Sequence, residues 1–192
     1  MQSNAAMKAF VVNLLNDNLP LFYSYHNYEH TLYVADKVLE IARHEDCSET
    51  ETELLYAAAL WHDTGYISTY RNHEEEGCML ARRHLPEYNY SPGEINTICG
   101  MIMATRVPQS PKNKLEEIIA DADLEYLGTE NAGPLAELFF LELQHLTPSV
   151  TKSEWDRMQV AFLQKHRYFT AYCRQYKEPL KQAYLATLIK EH

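Results

Sequence analysis

Apolar residues recur at helical spacing along much of the chain. Between residues 26 and 44 three aliphatic residues form a stripe on one face: Val34, Val38 and Ile41. Extended backwards, the stripe reaches His30 and His26, which are four positions apart and are therefore expected one turn from each other on a helix. Two-residue alternation, which would indicate strands, is weak throughout. The pattern predicts an all-α chain.

The other predicted helices are marked by their ends. They cover residues 50–63, 73–84, 91–105, 114–127, 134–146, a long segment from 151 that fades before Pro179, and a last one that starts there. Two capping boxes, Ser91 with Glu94 and Thr151 with Glu154, mark helix starts. We expect seven to nine helices in one domain over residues 1–192, with a motif-bearing core at about 22–130 and residues 131–192 packed on it.

Composition and charge exclude several classes of partner. The chain of 192 residues has a net charge of −10 and no basic run, which argues against duplex nucleic acid and against anionic membranes. A small anionic substrate stays open, because a bound metal can supply positive charge. The amino-terminal apolar patch is too short and polar for a secretory signal, and the cysteines form no C-x-x-C pair. We expect a cytoplasmic protein with free thiols.

The sequence LWHDTGY places His62 and Asp63 at the end of the most apolar predicted helix. A carboxylate buried beside an imidazole is costly unless a metal ion or another partner compensates it. His30 lies on the inward-facing side of its own predicted helix, and the segment IIADADLEYLG adds Asp121 and Asp123. These five residues indicate a metal site formed by several helices.

The order of these motifs resembles the HD superfamily of metal-dependent phosphohydrolases. The likeness spans about residues 22–130 and includes HT at 30–31, LWHDTGY, NHEEEGCMLA, IMAT and DADLEYLG. It implies an all-helical bundle around a central divalent ion, with His30, His62, Asp63 and one of Asp121 and Asp123 as ligands. Such ligands suit manganese, iron, magnesium, nickel or zinc, and the sequence does not choose among them.

A shorter segment, YHNYEH, resembles the H-N-x-x-H segment of class I cyclic-nucleotide phosphodiesterases. The resemblance implies that His26 is the general acid that protonates the leaving oxygen, next to the metal ligand His30. The alternative for His26 is a residue that only caps or packs at the helix start. Asp63 would also act in catalysis, either by orienting the nucleophile or by bridging a second ion.

Other positions bear on the number of ions and on the substrate. His73 can fill one place of a second metal site, but Thr105 stands where two-metal relatives often carry histidine, so one site is favoured over two. Arg106 is a candidate phosphate contact, although solvated surface charge explains it equally well. Four further histidines have no such context and are expected on the surface or in the core: His44, His145, His166 and His192.

These features together predict a metal-dependent phosphohydrolase that cleaves a small phosphorylated substrate, with a nucleotide favoured. One alternative is a non-catalytic metal-bound HD module that senses a ligand or scaffolds a partner. A less favoured one is an HD-type di-iron oxygenase, which needs six ligands. The sequence leaves open the identity of the substrate, the role of residues 131–192 and whether the chain forms a homodimer.

Overall fold

The computed structural model describes residues 2–191, which form ten α-helices and contain no β-strand. The helices are α1 (Gln2–Asn18), α2 (Tyr28–His44), α3 (Glu49–Trp61), α4 (His73–His84), α5 (Pro92–Ala104), α6 (Lys114–Asp123), α7 (Ala132–Leu146), α8 (Lys152–Lys165), α9 (Ala171–Tyr176) and α10 (Glu178–Glu191). Short 3₁₀ helices cover Thr64–Ile67, Leu85–Tyr88 and Glu125–Gly128. The all-α prediction is confirmed.

Helix α3 lies at the centre of the main core. Most of its residues from Leu54 to Trp61 are buried, because a helix that is apolar on all sides must be enclosed by others. Helices α2, α5 and α6 pack around it, and Val34, Val38 and Ile41 of the predicted α2 stripe are fully buried. The central helix therefore carries the residues that follow it, His62 and Asp63, into the interior.

The helix starts agree with the capping signals in the sequence. Ser91 and Thr151 both accept a hydrogen bond from the amide of the glutamate three residues later, and each glutamate carboxylate bonds back to the cap. A third capping box, Ser48 with Glu51, begins α3. These reciprocal bonds satisfy amide groups that a helix leaves free in its first turn.

The structure corrects the predicted start of α2. The stripe reached back to His26, but Asn27 is the N-cap, with extended φ and ψ of −130° and −175°, and its side chain accepts from the amides of Glu29 and His30. His26 therefore precedes the helix, and its expected position one helical turn from His30 is wrong. Asparagine favours a helix start at this position because its side-chain oxygen accepts hydrogen bonds from the first amides, which have no acceptor within the helix.

Two other helices differ from the prediction. Helix α1 was not assigned, although Met7, Val11 and Leu15 lie four residues apart and are buried in the core. The long helix from residue 151 divides into α8 and α9, because the backbone is extended at His166 and Thr170 starts a new helix as its N-cap.

The helices after residue 130 form a second apolar cluster over the end of α6. Leu163 of α8 and two residues of α10, Leu185 and Leu188, pack there with Leu124 and Leu127. No helix within residues 2–191 combines the length and apolarity needed to cross a bilayer. All four cysteines are free thiols, as predicted.

Candidate metal centre

Four polar side chains from three parts of the bundle meet beside α3. His30 comes from the first turn of α2, His62 and Asp63 directly follow α3, and Asp123 ends α6. The His30 Nε2 atom lies 3.1 Å from Asp123 Oδ1, and His62 Nε2 lies 3.1 Å from Asp63 Oδ2. The two crossed distances, His30 to Asp63 and His62 to Asp123, are 3.5 Å. The nitrogens and carboxylate oxygens thus converge on one small volume.

The tautomer of His62 is set by its surroundings. Its Nδ1 lies 2.8 Å from the carbonyl oxygen of Ala59, which can only accept, so this nitrogen carries a hydrogen. In a neutral ring Nε2 then presents its lone pair to the carboxylates. Within residues 2–191, His62 Nε2 and Asp63 Oδ2 are buried without a hydrogen-bond partner. Facing lone pairs in a buried place require a cation between them or a proton on the imidazole.

The pKa shifts of the histidine and carboxylate groups also indicate that positive charge stabilises this cluster. Burial alone would lower the pKa of His62, but the negative charge of Asp63 and the adjacent carboxylate of Asp123 raise it well above its usual value. Burial opposes ionisation of Asp123, yet the adjacent imidazoles of His30 and His62 lower its pKa to about 2. The pKa of Asp63 is also lowered: burial would raise it, but the charge of the neighbouring His62 outweighs burial.

Of these residues, His30, His62 and Asp123 each offer a ligand atom within 4.8 Å of the others, so together they can hold one metal ion. The structure separates Asp121 from them. The Asp121 carboxylate instead accepts hydrogen bonds from the amides of Phe169 and Thr170 and from the Thr170 hydroxyl, at 2.6 to 3.2 Å. Geometry therefore favours Asp123 over Asp121 as the acidic ligand.

The three residues considered for a second ion or for substrate line the same cavity as Asp63. His73 begins α4, and its Nε2 is 3.6 Å from Asp63 Oδ1. The Thr105 hydroxyl donates to the carbonyl of Ile102 at 2.8 Å. Arg106 donates to Glu74 at 3.1 and 3.2 Å and also to Glu75, so its guanidinium is already paired with carboxylates.

His26 has a partner that the sequence did not reveal. Its Nδ1 lies 2.5 Å from Oε1 of Glu142 on α7, and the amides of Tyr25 and His26 donate to Oε2 at 3.0 Å. Glu142 is fully buried. Burial lowers the pKa of His26, but the hydrogen bond and charge of Glu142 outweigh it and raise that pKa. The sequence feature that could have indicated a buried role for Glu142 is its position as the one acidic residue within the apolar run LFFLEL.

A cavity of about 580 Å³ adjoins the polar cluster. His26, Asp63 and Asp123 line it together with the segments that flank α4, α5 and α6, and side chains from α7, α8 and α10 complete the lining. The ring of His26 is 5.9 Å from that of His30. His26 therefore faces the same open space as Asp63 and Asp123 and lies close to the candidate ligand His30.

Three of the other histidines, His44, His145 and His166, do not line this cavity. His44 and His145 are exposed, whereas His166 is buried and its Nδ1 accepts from the ammonium group of Lys181 at 3.2 Å. These three positions agree with the expected surface or core roles, and His192 lies outside the described residues.

Three comparisons with known proteins bear on this arrangement. The family model described as the HD domain matches residues 27–125, which is more than half of the chain. A crystal structure described as a predicted HD superfamily hydrolase from an uncultured Thermotogales bacterium is similar, with a TM-score of 0.63 and 19% identity over 95% of this chain and 89% of the other. No curated protein matches the sequence.

Proposed function

The chain belongs to the HD-domain family, and from this premise we propose that it is a metal-dependent phosphohydrolase acting on a phosphate ester. The observation that carries the proposal is the buried cluster in which His62 Nε2 and Asp63 Oδ2 have no hydrogen-bond partner within residues 2–191. A divalent cation would compensate both atoms at once. The cluster also adjoins a cavity that can take a substrate.

The donor set fits such an ion. His30, His62, Asp63 and Asp123 provide two imidazole nitrogens and two carboxylates, which suit manganese, iron, magnesium, nickel or zinc. A divalent ion bound there supplies a lowered pKa for water at the site and offsets negative charge on phosphoryl oxygens. One site is proposed rather than two, because Thr105 offers a hydroxyl already bonded to Ile102 where a second site would need a stronger ligand.

Asp63 is proposed to orient the attacking water. Its Oδ2 belongs to the polar cluster, while its Oδ1 faces His73 at 3.6 Å, and the residue lines the cavity. A carboxylate is an acceptor and can hold a water by its hydrogens, with one lone pair of the oxygen directed at the phosphorus. His73 then limits the rotation of Asp63.

His26 is proposed to protonate the leaving oxygen. The Glu142 carboxylate holds Nδ1–H, so Nε2 is the atom left to carry the transferable proton, and the residue lines the cavity. The raised pKa keeps the ring protonated closer to neutral pH, where a general acid is useful. Glu142 would act through His26 as a positioning residue, since it does not line the cavity.

The test separates the two histidines of YHNYEH. We expect His30→Ala to lose bound metal and activity together, with partial recovery in excess metal. His26→Ala should keep its metal, while the rate falls by about 10²–10⁴-fold on an alkyl phosphate and much less on a nitrophenyl phosphate, whose leaving group needs no proton. His44→Ala, an exposed histidine, is the matched control. Metal content is measured by plasma mass spectrometry.

Two outcomes would overturn the assignment. Metal loss in His26→Ala equal to that in His30→Ala would make His26 a ligand or a structural residue. Absence of turnover on mono-, di-, tri- and cyclic nucleotides and on aryl and alkyl phosphates, with metal fully loaded, would favour the non-catalytic module. A di-iron oxygenase is the weaker alternative, because the described cluster with His73 offers five side chains rather than six.

A further inference from the structure

The lining of the cavity beside the polar cluster has two chemically different parts. The polar part includes His26, Asp63 and Asp123, where the phosphoryl group would react. An apolar part comes from the helices after residue 130, whose lining side chains belong largely to two apolar clusters: Phe139, Leu143, Trp155, Met158, Phe162 and Leu163. A volume of about 580 Å³ lies within the usual range for sites of small organic ligands. A phosphoryl group alone would leave most of it empty.

We propose that the substrate is a phosphomonoester of an extended, largely apolar alcohol, and that α7 and α8 bind the apolar group. This inference rests on the proposed function, because it requires the phosphoryl group to lie beside the polar part of the lining. It assigns a role to residues 131–192, for which the sequence offered no motif. Those residues would select the substrate, while residues 27–125 provide the family's polar cluster.

The charges along the cavity restrict the number of phosphoryl groups. Two guanidinium groups line it, those of Arg71 and Arg106, and Arg106 is already bonded to Glu74 and Glu75. The carboxylates of Asp63, Glu74 and Asp123 line the same space. A chain of several phosphates would bring more negative charge beside these carboxylates and would need further cations to balance it. The lining therefore fits one phosphoryl group per substrate.

Apolar contact would provide the binding energy along the apolar part of the lining. Transfer of one methylene group from water to an apolar site is worth about 0.8 kcal/mol, which corresponds to about a fourfold change in binding or in kcat/KM. Ethyl, butyl and hexyl phosphate have leaving alcohols of similar acidity and differ mainly in apolar length. We expect kcat/KM to rise about fourfold per methylene along this series and to be lower for nucleoside triphosphates than for hexyl phosphate.

A binding measurement gives a second readout that does not depend on turnover. The corresponding alkylphosphonates are not hydrolysed, so titration calorimetry on the metal-loaded protein measures their affinity directly. We expect the same rise with chain length and a more negative heat-capacity change for the longer ligands.

A pair of methionines offers a matched test of location. Met158 on α8 lines the cavity and is 49% exposed, whereas Met79 on α4 is 56% exposed and does not line it. Met158→Asn should reduce kcat/KM for hexyl phosphate about tenfold by removing apolar contact, and leave ethyl phosphate within about twofold. Met79→Asn should change neither. Both substitutions are neutral in charge, so they do not alter attraction of the phosphate.

The outcomes distinguish this inference from the proposed function. Turnover of aryl phosphates with no dependence on alkyl length, or a preference for nucleoside triphosphates, would overturn the inference and leave the phosphohydrolase proposal standing. Equal effects of Met158→Asn and Met79→Asn would also overturn it. Absence of turnover on every ester would instead contradict the proposed function, and the phosphonate affinities would then still report whether the cavity prefers apolar ligands.

Discussion

The carboxylate of Glu142 lies 2.5 Å from Nδ1 of His26, although 116 positions separate the two residues in the chain. Its second oxygen accepts the amides of Tyr25 and His26 at 3.0 Å, so one buried side chain holds both the ring and the backbone beside the site. Hydrogen bonds to an ionised acceptor are stronger than neutral ones. The position of His26 is therefore fixed by its bonds to Glu142 and not by a place on helix α2, as the sequence pattern had suggested.

Glu142→Gln should change the pH dependence of the reaction without removing metal. A general acid loses activity as pH rises through its pKa, and loss of the Glu142 charge should lower the pKa of His26. We therefore expect the basic limb of the rate profile to move to lower pH, with a rate loss of about tenfold or more at neutral pH. Glu137→Gln, on the exposed face of α7, is the control. An unmoved basic limb would contradict the role of Glu142.

Asp121 and Asp123 should fail in different ways. Asp123→Ala removes a side chain 3.1 Å from His30 Nε2, so we expect loss of bound metal. Asp121→Ala leaves the amides of Phe169 and Thr170 without their acceptor, and should lower the free energy of unfolding by about 2–4 kcal/mol while the folded protein keeps its metal. Chemical denaturation and metal analysis check the pair. Metal loss in Asp121→Ala at a stability equal to wild type would reverse the assignment.

Gly65 allows the segment that follows Asp63 to pack closely against the backbone of α4. A Cβ at this position would lie 1.9 Å from the carbonyl oxygen of His73 and 2.8 Å from the amide nitrogen of Gly77, both on α4. Gly65→Ala should destabilise the fold by about 2–4 kcal/mol, because backbone atoms cannot move aside cheaply.

Gly93→Ala is the matched control, since nothing lies within 4 Å of its Cβ, and it should be neutral or stabilise α5 by up to about 1 kcal/mol. Thermal melting of both variants tests the contrast. A Gly65→Ala protein as stable as the Gly93→Ala protein would show that α4 does not pack closely on the segment after Asp63.

His166 should make stability fall in mild acid. Burial, with the positive charge of Lys181, lowers its pKa to about 4 in the folded protein. Between that value and the unfolded pKa of about 6.5, the unfolded chain binds more protons, so stability is lost as pH falls through this window. The expected loss between pH 7 and pH 5 is about 2 kcal/mol from this group.

The measurement is urea denaturation of His166→Gln at both pH values, with exposed His44→Gln as the control. The first variant should have a shallower dependence on pH than wild type, and the second should match wild type. Equal slopes in all three proteins would mean that His166 takes up its proton without unfolding.

Local signals in the sequence predicted most of the helices and the residues of the polar cluster. Capping boxes at Ser91 and Thr151 are read within four residues, so they do not depend on tertiary structure. The choice between Asp121 and Asp123 could not be made locally. Two residues apart on a helix, they point about 200° away from each other, and the chain that packs on each side decides which carboxylate meets the histidines.

The position of His26 could not be predicted from its neighbours in the sequence either, because a distant part of the chain determines it. Helix α2 begins only after Asn27, so His26 precedes it, and its ring is held by a residue from α7. Much of the apolar lining of the cavity likewise comes from α7 and α8, whose residues carry no motif and come together only when the two helices pack.

The link between His26 and Glu142 also joins the two segments that flank the family match. His30, His62, Asp63 and Asp123 all lie within the family match at residues 27–125, whereas His26 and Glu142 both lie outside it. A lineage could exchange the segments that flank the match, and with them the proton donor and the apolar wall, while the polar cluster is retained. Divergence among such proteins should then appear first as a change in which leaving groups are expelled and only later as a change in the ion bound.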